Sequence, residues 1–184
     1  MSNELAGRTV AFLVANEGIE QVELTEPWNA VEAAGGSPRL LAPKEGKVQA
    51  FHHLDKADTF PVDDVVGEVN VEQFDGLVLP GGVANPDQLR TDTAAVGFVA
   101  SMVQSGRPVA VICHGPWTLV EADVVRGRRI TSWPSVATDL RNAGAVWVDE
   151  EVVVDENGPG VLISSRKPDD LKAFCATLVE RFAA

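Results

Sequence analysis

The sequence predicts an α/β fold: a three-layer sandwich with a mainly parallel sheet and helices on both faces, within a single domain spanning residues 1–184. Two observations carry this reading. Short uncharged apolar runs at 9–15, 76–79 and 108–112 have the length and β-branched content of strands buried on both faces. Helical segments alternate with those runs, and neither an internal repeat nor a low-complexity linker interrupts the alternation.

Taken in order, Thr9 to Ala15 reads as the first buried strand, ended by Asn16-Glu17-Gly18. An amphipathic helix follows over about Val22 to Ala34, stopped by Gly35-Gly36, with Pro27 either in its first turn or kinking it. Ser37 to Pro43 is a second strand, and Val48 to Val62 suggests a small surface hairpin. Gly76 to Leu79 is a strand that runs into Pro80-Gly81-Gly82 and a loop of turn formers through Asp87. Thr91 or Asp92 can cap a helix reaching Gln104, and the strand from Pro108 to Ile112 comes next. After Cys113-His114-Gly115, Pro116 opens a helix containing Trp117. Extended pieces at Arg129–Trp133, Val146, Val152 and Val161–Ser164 bracket a helix over about 135–142, and a final helix fills Asp169 to Phe182.

Composition removes several classes of function. With 15 Lys+Arg against 27 Asp+Glu the formal charge is −12, which opposes binding to nucleic acid or an anionic membrane. No apolar run has the length of a membrane span, and the first residues lack a basic stretch followed by an apolar one, so a cytoplasmic protein is expected. The two cysteines, Cys113 and Cys175, fall in a turn and a C-terminal helix, contexts that do not suggest a disulfide. His52, His53 and His114 offer no zinc spacing, so neither a metal nor another cofactor is expected.

Chemistry begins at Cys113, on a turn from strand to helix. There backbone N–H groups and the helix dipole are expected to lower the thiol pKa, which would make Cys113 a nucleophile rather than a packing residue. In parallel sheets, sites form beyond the carboxyl ends of the strands, where strand-to-helix loops gather. Three such loops, Glu17 to Glu23, Pro80 to Asp87 and Cys113 to Pro116, should therefore converge. They would bring together a thiol, a histidine, carboxylates and the Gly81-Gly82 backbone, with the N–H groups of Gly82 and His114 as oxyanion donors.

These residues resemble a known family. Asn16-Glu-Gly-Ile-Glu20-Gln-Val-Glu23-Leu-Thr-Glu-Pro27, Leu77-Val-Leu-Pro-Gly-Gly82, Ala110-Val-Ile-Cys-His-Gly-Pro116 and Ser164-Ser-Arg166 are similar to segments of the intracellular protease I (PfpI) family, over about residues 8–182. That family belongs to the superfamily of the parkinsonism-associated deglycase. The resemblance implies a flavodoxin-like, class I glutamine amidotransferase-like fold with Cys113 as nucleophile at a strained elbow. By the same resemblance Glu23 is the carboxylic acid bonded to the cysteine sulfur, Glu20 is a second acidic position, and His114 is the catalytic histidine. It further implies a homodimer or higher oligomer in which Asp87 orients the histidine of a neighbouring subunit, although the loop through Asp87 is one residue longer than usual and carries Asp where Glu is common. Trp117 and Trp133 are expected to wall the pocket, the alternative being plain core. His53 matches no catalytic position.

Three functions follow as expectations. One is a stress-response enzyme of glyoxalase or deglycase type, acting on small reactive carbonyls; another is a cysteine peptidase using Cys113, His114 and Asp87 on peptides. The third is a redox sensor in which Cys113 oxidises before Cys175.

Overall fold

The computed structural model describes residues 3–184. Strands β1 (Thr9–Leu13), β3 (Ser37–Ala42), β6 (Asp64–Val65), β7 (Gly76–Leu79), β8 (Val109–Ile112), β11 (Val152–Asp155) and β12 (Leu162–Ser165) form the main sheet. Its order is β11-β12-β8-β7-β1-β3-β6, with every pairing parallel except β11 with β12. Helices α1 (Gln21–Ala33), α2 (Ala84–Leu89), α3 (Thr93–Gln104), α4 (Pro116–Glu121), α5 (Ala137–Asn142) and α6 (Leu171–Ala183) cover it.

Alternation along β1 shows why three layers result. Val10 and Phe12 point into a core completed by Leu24 and Val31 of α1 and Phe174 and Leu178 of α6. Ala11 and Leu13 point the other way, into a core completed by Leu89 of α2, Val99 of α3, Leu119 of α4 and Leu140 of α5. A strand buried on both faces has no solvent side, hence its continuous apolar sequence. Full burial of side chains such as Phe12, Leu13 and Phe174 contributes roughly 1.5–3 kcal/mol each relative to exposure.

Two smaller sheets lie outside the sandwich. The strands β2 (Glu17–Glu20), β4 (Lys47–His52) and β5 (Asp55–Pro61) form one, in the order β2-β4-β5; β9 (Arg129–Ile130) and β10 (Val146–Trp147) form the other. The expected hairpin is thus present as β4 and β5, joined at His53-Leu54. Two local expectations are corrected. Glu17 to Glu20, expected as part of the loop after the first strand, forms β2, and the segment after Gly82 is the short helix α2 rather than a loop. Pro27 lies in the interior of α1, so the Glu23 carbonyl four residues earlier receives no N–H from it.

Candidate active site

The three loops expected to converge do so, because they leave three adjacent central strands, β8, β7 and β1, at their carboxyl ends. Cys113 sits at the end of β8 with φ +63°, in the left-handed region that a non-glycine residue enters only when its surroundings hold it there. Here they do. The Cys113 N–H donates to Ser165 O (3.1 Å), the Trp133 N–H to Cys113 O (2.9 Å), and the Gly115 N–H to Ile112 O (2.9 Å). Gly115 is required for space, since a Cβ on it would lie 2.7 Å from Leu79 O.

Glu23, in the first turn of α1, is fully buried beneath this elbow. Its Oε2 accepts the Gly81 N–H (2.9 Å). A Cβ on Gly81 would overlap that oxygen and approach the Cβ of Cys113 to 2.6 Å, so only glycine lets the carboxyl and the cysteine share this corner. Burial pushes the Glu23 pKa up to about 8, against weaker pulls from the Cys113 thiol and the Gly81 and Gly82 N–H groups, and with a further push from Glu20. Carboxyl and thiol therefore act on each other, yet they miss strict hydrogen-bond geometry. Among the described residues, Glu23 Oε1 is left buried and unpaired.

The expectation of a depressed thiol is corrected. The Gly82 and His114 N–H groups do pull the Cys113 pKa down, as the turn geometry implied, but burial and the facing Glu23 outweigh them and push it well above the usual thiol range. Cys113 is only 5% exposed. Cys175 is half-buried and unpaired, its thiol pushed up to about 12 by burial, so thiolate fraction alone gives no reason for Cys113 to oxidise first.

His114 supplies what the cysteine lacks. Its Nδ1 lies 3.2 Å from Cys113 Sγ, and burial lowers its pKa to about 4, so at neutral pH the ring is uncharged and able to accept a proton. Its Nε2 lies 3.4 Å from Ser135 Oγ. The ring stacks on Trp133 (centroids 5.6 Å apart, 23° between planes) and is tilted against Trp117 at 5.3 Å.

The resulting cleft, of about 220 Å³, has Glu20, Glu23, Cys113 and His114 at its floor, with Gly82 beside them. Leu54, Val83, Trp133 and Pro168 form its rim. Glu20 is nearly buried and accepts the His53 N–H (2.9 Å) through Oε2. Trp133 walls the cleft as expected, but Trp117 does not line it; it backs His114 and ties its indole N–H to Asp139 (2.8 Å). Asp87 is exposed on α2 and makes no hydrogen bond to His114 within the chain, whose ring nitrogens face Cys113 and Ser135. A larger groove, of about 310 Å³, lies along Leu24, Trp28 and Phe60, and neither cysteine nor histidine is among the described residues that line it.

One residue emerges that sequence reasoning passed over, and another, named there without a catalytic role, gains a place beside the cleft. Asn85 is buried in α2; its Nδ2 donates to Pro80 O and Gly81 O (both 3.0 Å), and its Oδ1 accepts the Ala15 N–H (2.7 Å). It thereby fastens the Gly81-Gly82 turn to the end of β1. His53, at φ +58° in the tip of the β4–β5 hairpin, lines the cleft after all. The Ser164-Ser165-Arg166 segment also has a positional role: Arg166 binds Asp170 through two nitrogens (2.8 and 3.0 Å) and Asp149 through a third (2.8 Å), holding the loop that carries Pro168.

Comparison with known proteins identifies relatives of the chain. The chain is 42% identical over 171 residues to a deglycase of Pyrococcus horikoshii, covering 93% of this chain and 97% of that one. It is 40% identical over 167 residues to protein/nucleic acid deglycase 2 of Escherichia coli, covering 91% and 93%. Among solved structures, a two-domain protein of Anabaena variabilis with DJ-1/ThiJ/PfpI-like and ferritin-like domains superposes with a TM-score of 0.86 at 32% identity. That match covers 95% of this chain and 48% of the other, so the chain spans about half of the two-domain protein. The DJ-1/PfpI family model matches residues 8–181, and the chain belongs to that family.

Proposed function

We propose that this protein is a cofactor-free, cysteine-dependent enzyme that isomerises and hydrolyses small reactive carbonyls, in the manner of a glyoxalase or deglycase. The observation that carries the reading is the pairing of two proton carriers around one thiol. A neutral His114 lies 3.2 Å from Cys113 Sγ, and a buried Glu23 whose pKa is about 8 lies beside the same residue. Two relatives that bear deglycase names support it.

On an α-oxoaldehyde, Cys113 passes its proton to His114 Nδ1 as sulfur bonds to the aldehyde carbon, and the carbonyl oxygen takes a proton from Glu23. The Glu23 carboxylate, a stronger base for having so high a pKa, then removes the hydrogen from that carbon. The electron pair forms an enediol as the neighbouring carbonyl oxygen is protonated by His114. Glu23 returns the proton to the second carbon and His114 removes the hydroxyl proton from the first, leaving a thioester of a 2-hydroxy acid. The first carbon is oxidised and the second reduced, so no external oxidant is needed. Water cleaves the thioester, giving one proton to Glu23, while the leaving sulfur recovers its own from His114.

A stress-response role in the cytoplasm and a homo-oligomer that brings Asp87 near a neighbour's His114 belong to the same proposal. Among the described residues no helix is long and apolar enough to cross a membrane. The peptidase alternative has less support, since the cleft is small.

Assaying the purified protein on methylglyoxal and on unfolded casein in parallel tests the reading. Lactate formation that vanishes in Cys113→Ser, with unfolding behaviour unchanged, is the expected result; casein cleavage without lactate would overturn it.

A further inference from the structure

Among the described residues, four large hydrophobic side chains stand out into solvent: Leu54 (91% exposed), Val83 (58%), Trp133 (37%) and Val146 (56%). Three of these four, all but Val146, line the cleft above Cys113, joined there by Pro168. They come from unrelated places in the chain: the tip of the β4–β5 hairpin, the residue before α2, and the segment between β9 and α5. Isolated surface hydrophobics are ordinary, whereas convergence of most of them on one opening marks a binding surface.

The chemistry of the cleft is divided by depth. Its floor carries the thiol, the imidazole of His114 and two carboxyls, its rim is apolar apart from His53, and among the described residues no Lys or Arg lines it. A carboxylate or phosphate on the substrate would thus meet acidic groups and find neither Lys nor Arg to pair with. Methylglyoxal, with a single methyl group beside its two carbonyls, leaves the rim unused when its aldehyde carbon is at Cys113. We propose that the preferred substrates are uncharged α-oxoaldehydes whose second carbon carries an aryl or branched apolar group, with Leu54 and Val83 as specificity-determining residues. This rests on the glyoxalase-type reading and names the substrate class for that site. The aryl group lies against Leu54, Val83 and the outer edge of Trp133 while the aldehyde carbon stands over Cys113 Sγ.

Phenylglyoxal and methylglyoxal are the probes. Hydrophobic pockets discriminate by about 10–200-fold for groups of modest size, and kcat/KM is expected to favour phenylglyoxal by at least roughly tenfold. The double variant Leu54→Ser/Val83→Ser is expected to collapse most of that ratio, whereas Val146→Ser, which removes the one exposed hydrophobic away from the cleft, leaves it unchanged. Trp133 is unsuitable for this purpose, because its ring stacks on His114. A second readout does not depend on turnover: the concentration of each aldehyde that half-protects Cys113 from iodoacetamide, by mass spectrometry, divided by the same quantity for N-acetylcysteine. Turnover of both aldehydes without a preference, or a preference that survives the double variant, overturns the inference. Absence of any turnover refutes the glyoxalase-type reading instead, and the protection ratio alone then decides: tighter protection by phenylglyoxal that is lost in the double variant upholds the rim assignment, and equal protection overturns it.

Discussion

Replacing Glu23 with Gln should stabilise the fold, by an amount that grows with pH over a defined window. The carboxyl has a pKa near 4.5 when solvated and about 8 when buried in α1. Below pH 4.5 both the native and unfolded chains hold the proton, and the residue favours neither. Between pH 4.5 and about 8 the unfolded chain releases its proton while the native chain keeps it, so native stability falls by about 1.4 kcal/mol per pH unit. Above about 8 both are ionised and the penalty levels off at about 5 kcal/mol. Gln carries no such penalty, and its carbonyl can still accept the Gly81 N–H that Oε2 accepts now. Urea unfolding of wild type and Glu23→Gln at intervals from pH 4 to 9 should show the variant's advantage rising by several kcal/mol across the window and constant beyond it. A difference in stability independent of pH would mean that Glu23 is not held protonated by burial, and the proton-carrier role assigned to it would fall with that result.

Three other predictions follow from the site. Glu23 raises the Cys113 thiol mainly through its charge; iodoacetamide alkylation of Cys113 in Glu23→Gln should exceed wild type little below pH 8 and increasingly above it, and equal profiles would refute this. Asn85→Ala strands the Ala15 N–H and the Pro80 and Gly81 carbonyls; it should cost on the order of 2–4 kcal/mol in urea unfolding, and a loss under 1 kcal/mol would deny Asn85 its fastening role. Ser135→Ala should redistribute the protons on His114, because Ser135 Oγ accepting from Nε2–H leaves Nδ1 free for the Cys113 proton; nitrogen NMR of the imidazole should show a tautomer shift that Thr at 135 reverses, and an unchanged spectrum would refute it.

Much of this site was legible because parallel-sheet topology does the gathering. Three apolar runs read as buried strands, and strands of that kind in adjacent central positions must deliver the loops after Leu13, Leu79 and Ile112 to one edge. What sequence could not show was governed by contacts distant along the chain. Asn85 acts through hydrogen bonds to Ala15, 70 residues away, and its neighbourhood of Asn, Pro and Asp reads as a loop although Pro86 fits the first turn of a helix. β2 is four residues long and contains Gly18 at φ +95°, leaving no periodic signal. The thiol's acidity was misread for another reason: N–H donors at a turn are visible in sequence, while the desolvation that outweighs them depends on what closes over the sulfur. Trp117 lies one helical turn beneath His114, a placement that only the packing of α4 against α5 determines.

The hairpin of β4 and β5 belongs to a sheet that shares no strand with the one bearing Cys113. Its tip at His53-Leu54 reaches the cleft, while its attachment runs through β2, which precedes α1. The reacting groups and the hairpin's share of the rim are therefore separately editable. Exchanges at Leu54 can retune which molecules enter without disturbing the left-handed cysteine, the glycines beneath it, the parallel strands that aim them, or the bond from the His53 N–H to Glu20. For engineering, the hairpin tip is the place to randomise first, since a library there risks selectivity and leaves the foundations of catalysis intact.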